Sequence, residues 1–219
     1  MKTKEELKNR QPNLDAKRDF ECSGIGHMGI PEGYANVSLS SYVTHTSSQS
    51  AAKQAIEKLI SKLGNQILIL SGPGPRYVGK THLLCAGLLA AQKGRYINMW
   101  DVEIRICSSR SAGERKTEYE ILNELIKEPL LAIDDVNYGS MGTRLEPDWL
   151  ASLLLGREAR LRPTILATNR HLISTCPEKG CALCLEDLLG NPIISGVTET
   201  IIIDGPNYRK VNLETKGGT

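Results

Sequence analysis

Gly74-Pro75-Arg76-Tyr77-Val78-Gly79-Lys80-Thr81 satisfies the pattern G-x-x-x-x-G-K-[S/T], and what stands on either side of it decides the fold. Upstream lies Ile67-Leu68-Ile69-Leu70, a short apolar run whose length suits a buried strand. Downstream, a helix is predicted over about Thr81 to Gln92. A phosphate loop requires that strand-to-helix setting. Its glycines let the backbone wrap closely, so that amide N–H groups and the helix amino terminus face an anion. Lys80 offers a cation to the β and γ phosphates, and Thr81 a ligand to Mg²⁺. The candidate nucleotide-binding residues are therefore Gly72, Gly74, Arg76, Tyr77, Val78, Gly79, Lys80, Thr81 and His82. Tyr77 stands where many such loops carry glycine, and Pro73 and Pro75 have no N–H to give, so Gly72 is an alternative first glycine of a longer loop.

The alternation continues on both sides. Ala52, Ile56, Leu59, Ile60 and Leu63 recur at helical spacing, with Ser47 to Ser50 supplying candidate caps. Strands are predicted over about Tyr96 to Trp100, Leu130 to Asp134, Thr164 to Thr168 and Thr200 to Ile203. Helical segments precede Glu128, and another helix covers about Pro147 to Leu161. Strands alternating with helices imply parallel crossovers and a three-layer α/β sandwich.

Leu130-Leu131-Ala132-Ile133-Asp134-Asp135 is a strand ending in two carboxylates at the edge where ligands collect in a parallel sheet. Asp134 is the candidate to hold Mg²⁺ through its water shell, and Asp135 to polarise an attacking water, because phosphoryl transfer depends on positioning and charge neutralisation. Asn169, after the Thr164 to Thr168 strand, is the candidate to orient that water. With Lys80, these make up the candidate catalytic set.

Composition bounds the rest. The 219 residues suffice for one principal domain, and 40% apolar with 24% charged residues is the balance of an ordinary globular protein. The net charge of +2 means that any polyanion site must be local. No apolar run reaches the roughly 18 to 20 residues of a membrane span, and Met1-Lys2-Thr3-Lys4-Glu5-Glu6 lacks a secretion signal, so a cytoplasmic protein without membrane partners is expected. Six cysteines then read as free thiols or metal ligands. His171, Cys176, Cys181 and Cys184 share one loop with a C-x-x-C pair, a candidate structural Zn²⁺ set lacking the second half of a usual zinc ribbon. Arg105, Arg110, Arg115 and Lys116 form a basic cluster, the candidate DNA contact against the alternative of solvated surface charge.

These elements, in this order, resemble the DnaC/IstB-like branch of the AAA+ ATPases, which contains replicative-helicase loaders and transposition helpers. The carriers are Ile30-Pro31 with Tyr34, Gly79-Lys80-Thr81-His82-Leu83-Leu84, Leu131-Ala132-Ile133-Asp134-Asp135, Pro163-Thr164-Ile165-Leu166-Ala167-Thr168-Asn169, and Tyr208-Arg209. Arg157 matches an arginine that the family tends to keep before its sensor strand.

The resemblance implies a P-loop NTPase of AAA+ type without the C-terminal helical lid, over residues 30–219; residues 1–29, largely polar and without sustained apolar periodicity, read as an N-terminal arm or docking segment. It implies ATP and Mg²⁺ as cofactors, a nucleotide-dependent homo-oligomer on single-stranded DNA, and delivery of a hexameric replicative helicase. Recruitment of a transposase to target DNA is the alternative; a partner-binding module with a degenerate nucleotide site is another. Where relatives place an arginine finger, this chain reads Leu189-Gly190-Asn191-Pro192-Ile193-Ile194-Ser195-Gly196. Slow hydrolysis, or dependence on a partner's arginine, is expected.

Overall fold

The computed structural model describes residues 24–62, 64, 66–72, 77–110, 116–136, 147–170 and 199–207. Five parallel strands, β1 (Ile67–Ser71), β2 (Arg95–Asn98), β3 (Leu131–Asp134), β4 (Thr164–Thr168) and β5 (Glu199–Ile202), form one sheet in the order β2-β3-β4-β1-β5. The helices are α1 (Ser47–Ser61), α2 (Lys80–Ala91), α3 (Met99–Ser109), α4 (Glu118–Lys127) and α5 (Pro147–Glu158), preceded by one helical turn over Gly24–His27.

Both faces of the sheet are covered, which is why β1, β3 and β4 read as continuous apolar runs. Along β1, Ile67 and Ile69 enter a core with residues of α3, α4 and α5. Leu68 and Leu70 enter the opposite core with residues of α1 and α2. The three-layer α/β sandwich read from the sequence is the fold observed.

Helix α2 carries Leu83, Leu84, Cys85, Ala86, Gly87 and Leu88 all buried, so it sits within a layer with no exposed stripe to mark it. At α1 the cap is Thr46, one residue before the serines expected to cap it. The Thr46 side chain accepts from Gln49 N, and the Gln49 carboxamide accepts from Thr46 N in return.

Strand β2 also ends earlier than its sequence suggested. The Asn98 side chain accepts from Trp100 N, so Met99 and Trp100 open α3 rather than extend the strand. Outside the sheet, Tyr96 N donates to Met28 O at 2.7 Å, and Ile30 is buried. Met28 and Gly29, within the span read as an arm, thus lie against β2.

One buried charge locks the helical layer to the sheet. Arg157, in α5, is fully buried and donates from Nε to Thr164 Oγ1 at 2.8 Å and from Nη2 to Pro163 O at 2.6 Å. Its Nη1 donates to Leu125 O at 2.5 Å and Glu128 O at 2.9 Å. In a continuing helix Leu125 O would accept from the amide four residues on, but that residue is Pro129, which has none. Burial pulls the guanidinium down to about 10, partly opposed by the charge of Glu128, which leaves it a cation at neutral pH.

Candidate nucleotide site

The carboxyl ends of β1, β4 and β3 lie side by side, and each delivers one part of the site. Ser71 and Thr168 pair in register across β1 and β4, and Gly72 N donates to Thr168 O at 3.0 Å just beyond. Val136 N donates to Ala167 O at 3.0 Å, holding the chain after β3 against β4. The rim is thereby stitched together before any side chain acts.

On that rim Lys80, the first residue of α2, is buried, and its Nζ donates to Asn169 Oδ1 at 2.7 Å. Burial holds its ammonium below the ordinary lysine value, while the charges of Asp134 and Asp135 pull it back up. Thr81 Oγ1 donates to Asp134 Oδ2 at 2.7 Å, and Asp134 Oδ1 accepts Asp135 N at 2.9 Å. Lys80, Thr81, Asp134 and Asn169, separated by up to 89 positions in the chain, thus meet within hydrogen-bonding distance.

The loop suits an anion. Gly79 caps α2 at φ 95 and supplies no side-chain hydrogen bond to the first turn. A Cβ at Gly79 would lie 2.6 Å from Tyr42 Cε2, and one at Gly72 would lie 2.5 Å from Lys80 Nζ. Gly79, at its left-handed φ, needs glycine, whereas a Cβ at Gly72 would displace the Lys80 ammonium. Tyr77, where glycine is usual, holds φ 74, so the position keeps the left-handed conformation although the residue has changed.

From the far side, Tyr42 OH donates to Val78 O at 3.0 Å, and the buried Gln49 donates from Nε2 to the same carbonyl at 3.5 Å. His82 lies within hydrogen-bonding distance of Ser38 O and Ser41 Oγ, and its ring is 5.3 Å from that of Tyr42. Burial lowers its pKa, against the Ser38 hydrogen bond. His82 therefore fastens the preceding segment to the start of α2.

A cavity of about 790 Å³ covers this edge, within the roughly 300–1,000 Å³ of ligand sites. It runs from Pro31 and Tyr34 across the loop to Asn98, Trp100 and Glu103. A bare left-handed glycine, an uncapped helix start, a buried lysine and a threonine–aspartate pair fit a nucleotide polyphosphate with a divalent cation.

Sequence reasoning missed Tyr96, whose OH donates to Asp134 Oδ2 at 2.9 Å, and whose pKa is raised by burial and then by the Asp134 charge. It also missed Glu103, a buried carboxyl whose pKa burial raises. Tyr96 reads only as an apolar strand residue, and Glu103 as one acid among many on a helix.

The other candidates are scattered or lie elsewhere. Gly74, Arg76, Arg115, His171, Cys176, Cys181 and Cys184 fall outside the described residues, as do residues 189–196. Arg110 pairs with Glu118 at 3.0 Å and Lys116 with Glu124 at 2.5 Å, both on the surface. Arg105 is partly buried on α3. Cys85 is buried and Cys107 exposed. Among the described residues, no helix is long and apolar enough to cross a membrane.

The strand order, the Gly79-Lys80-Thr81 start of α2 and the aspartate ending β3 give an α/β fold of the P-loop NTPase kind. No family model matches the chain, and no curated protein matches it. Solved structures do. A DnaC helicase loader is 26% identical with a TM-score of 0.59, over 80% of this chain and 100% of that one. A DNA replication initiation factor is 20% identical with a TM-score of 0.61, over 83% of this chain and 54% of that one. A replication initiator DnaA bound to AMPPCP and single-stranded DNA is 19% identical with a TM-score of 0.60, over 86% of this chain and 56% of that one. The chain thus spans about half of the latter two and all of the loader structure. These likenesses support the resemblance to DnaC/IstB-like AAA+ ATPases read from the sequence.

Proposed function

We propose that this chain binds and hydrolyses ATP with Mg²⁺ as a DNA-replication accessory protein, assembling on single-stranded DNA and delivering a hexameric replicative helicase. The observation that carries this reading is the meeting of Lys80, Thr81, Asp134 and Asn169 on one rim, in a chain of which 80% matches the whole of a DnaC helicase loader structure. Residues 30–219 form the ATPase, and the residues ahead of them dock a partner.

Gly72, Gly79 and the first amides of α2 hold the phosphates, with Lys80 as the counter-charge. Thr81, and Asp134 through water, would hold the cation. Mg²⁺, when bound, draws negative charge from the β and γ phosphate oxygens. Asp135 polarises the attacking water. Asn169 keeps the Lys80 ammonium on the γ-phosphate side, because its amide oxygen already accepts from Nζ. With no arginine at positions 189–196 of this chain, full turnover needs a cation from a partner, worth about 10³ to 10⁵ in comparable systems.

For DNA, Trp100 and Arg105 share α3, the indole offering a stacking face and the guanidinium a phosphate contact. The pairs Arg110–Glu118 and Lys116–Glu124 are exposed and worth about 1 kcal/mol or less each, so a phosphate can replace the acid at small cost.

Calorimetric titration of ATP and Mg²⁺ into the wild type and Lys80→Ala tests the nucleotide site. The variant should lose at least about tenfold in affinity, that is about 1.4 kcal/mol; an unchanged affinity removes the phosphate-loop assignment. Co-purification with the host's hexameric helicase in ATP and in ADP tests the delivery role. Contact in neither state removes it.

A further inference from the structure

The Asp134 carboxylate takes three hydrogen bonds, and only two come from the phosphate loop and the local backbone: Thr81 Oγ1 on Oδ2 and Asp135 N on Oδ1. The third comes from a neighbouring strand. Tyr96 on β2 pairs in register with Ala132, two residues before Asp134, and is buried in the core that holds Cys85 and Ala132. From there its OH reaches Asp134 Oδ2 at 2.9 Å, the same oxygen that accepts Thr81. A carboxylate that acts on a cation through water must keep one orientation, and it is otherwise free to turn about its last side-chain bond. Two donors on Oδ2, one from the ligand-bearing helix and one from the sheet, fix that bond.

We propose that Tyr96 is a positioning residue for the divalent cation of the nucleotide site: its phenol holds the Asp134 carboxylate in the orientation that serves the cation's water shell. This rests on the nucleotide reading above. Tyr96 touches neither phosphate nor cation; it acts through Asp134. A group that holds a metal's ligand in place in this way changes metal affinity about 10- to 100-fold when removed.

The test titrates MgCl₂ into full-length protein with mant-ATP and follows its fluorescence, for the wild type, Tyr96→Phe, Asp134→Asn and the double variant. Tyr96→Phe keeps the ring and removes only the hydroxyl. It should raise the half-saturating Mg²⁺ about tenfold, while mant-ATP affinity in EDTA stays within twofold of wild type. The double variant should match Asp134→Asn alone, because a group acting through Asp134 has nothing left to act on. A half-saturating Mg²⁺ within twofold of wild type would overturn the proposal. So would effects that multiply in the double variant. Failure of the nucleotide reading looks different: the wild type itself would bind no mant-ATP, or bind it equally after Lys80→Ala, and the proposal would fall with that reading.

Discussion

Arg157 gives the sharpest test of how the layers are joined, because Arg157→Met keeps most of the side-chain volume while removing every donor. Nη1 donates at close range to two carbonyls, Leu125 O and Glu128 O, and at 3.4 Å to a third, Ile126 O; Pro129 cannot replace it. Pro163 O keeps a second donor, Leu131 N at 3.2 Å, and so is not orphaned. Two buried acceptors left without partners cost roughly 2–6 kcal/mol at about 1–3 kcal/mol each. Relief of guanidinium burial works the other way. Lowering the Arg157 pKa to about 10 implies a penalty of order 3 kcal/mol on its charged form. The methionine relieves that penalty, which brings the upper end of the range down to about 3 kcal/mol, the end favoured because Nη1 also serves Ile126 O. Such a loss is a large share of the roughly 5–15 kcal/mol that holds a domain folded. With a urea m-value of about 2 kcal/mol/M, the midpoint should fall by about 1.5 M. Arg157→Lys, a point charge without the planar fork, should recover about half of that. The assay is equilibrium urea unfolding followed by circular dichroism. A shift below about 0.5 M for Arg157→Met, equivalent to about 1 kcal/mol, would refute the claim that this guanidinium terminates α4.

Gly79→Ala places a Cβ 2.6 Å from the Tyr42 ring at φ 95. We expect about 1–3 kcal/mol of destabilisation and at least tenfold weaker ATP binding, read by thermal melts and calorimetry; unchanged values in both would show that the loop tolerates a side chain. Gln49→Ala removes the acceptor for His45 N and Thr46 N together with a buried donor. It should cost about 2 kcal/mol in the same urea assay, and a loss under about 0.5 kcal/mol would contradict the capping role. Burial pushes the Cys85 thiol up to about 12 from an ordinary 9.0. The native chain therefore keeps a proton that the unfolded chain releases. The stability is fully present below about pH 9 and falls above it by up to about 1.4 kcal/mol per pH unit until about pH 12; a flat urea midpoint from pH 8.5 to 10.5 would count against it. At pH 8, iodoacetamide should label the exposed Cys107 and spare Cys85, as peptide mapping would read out.

The strands and the phosphate loop were legible because their signals are local. Ile67 to Leu70 and Thr164 to Thr168 are buried on both faces, so each is a continuous apolar run bounded by turn residues. Lys80, Thr81, Asp134 and Asn169 each stand at a strand end or helix start, where topology alone brings them together. What remained hidden depends on distant partners. Tyr96 acts through a hydrogen bond to a residue 38 positions away that nothing beside it signals, and Arg157, marked by the family resemblance alone, reaches partners up to 32 positions away. Met99 and Trp100 looked like strand because both are bulky and apolar. A single side-chain acceptor at Asn98 turned them into a helix. The basic cluster depends on distant partners too: counting cations cannot reveal that Glu118 and Glu124, one helix further on, pair with two of them.

The contact between Met28 and Tyr96 matters beyond the site. Strand β2 is the outermost on its side of the sheet, and its outward amide would otherwise offer a template to any extended chain in solution. The Met28 carbonyl occupies that amide. Gly29, at φ 69, lets the backbone lie so close that a Cβ there would stand 2.8 Å from Tyr96 O. Met28 and Gly29 therefore cover the edge of β2 at Tyr96, where another strand would otherwise pair. A shortened chain starting at residue 30 should gain a concentration-dependent tendency to aggregate even where its nucleotide site is intact.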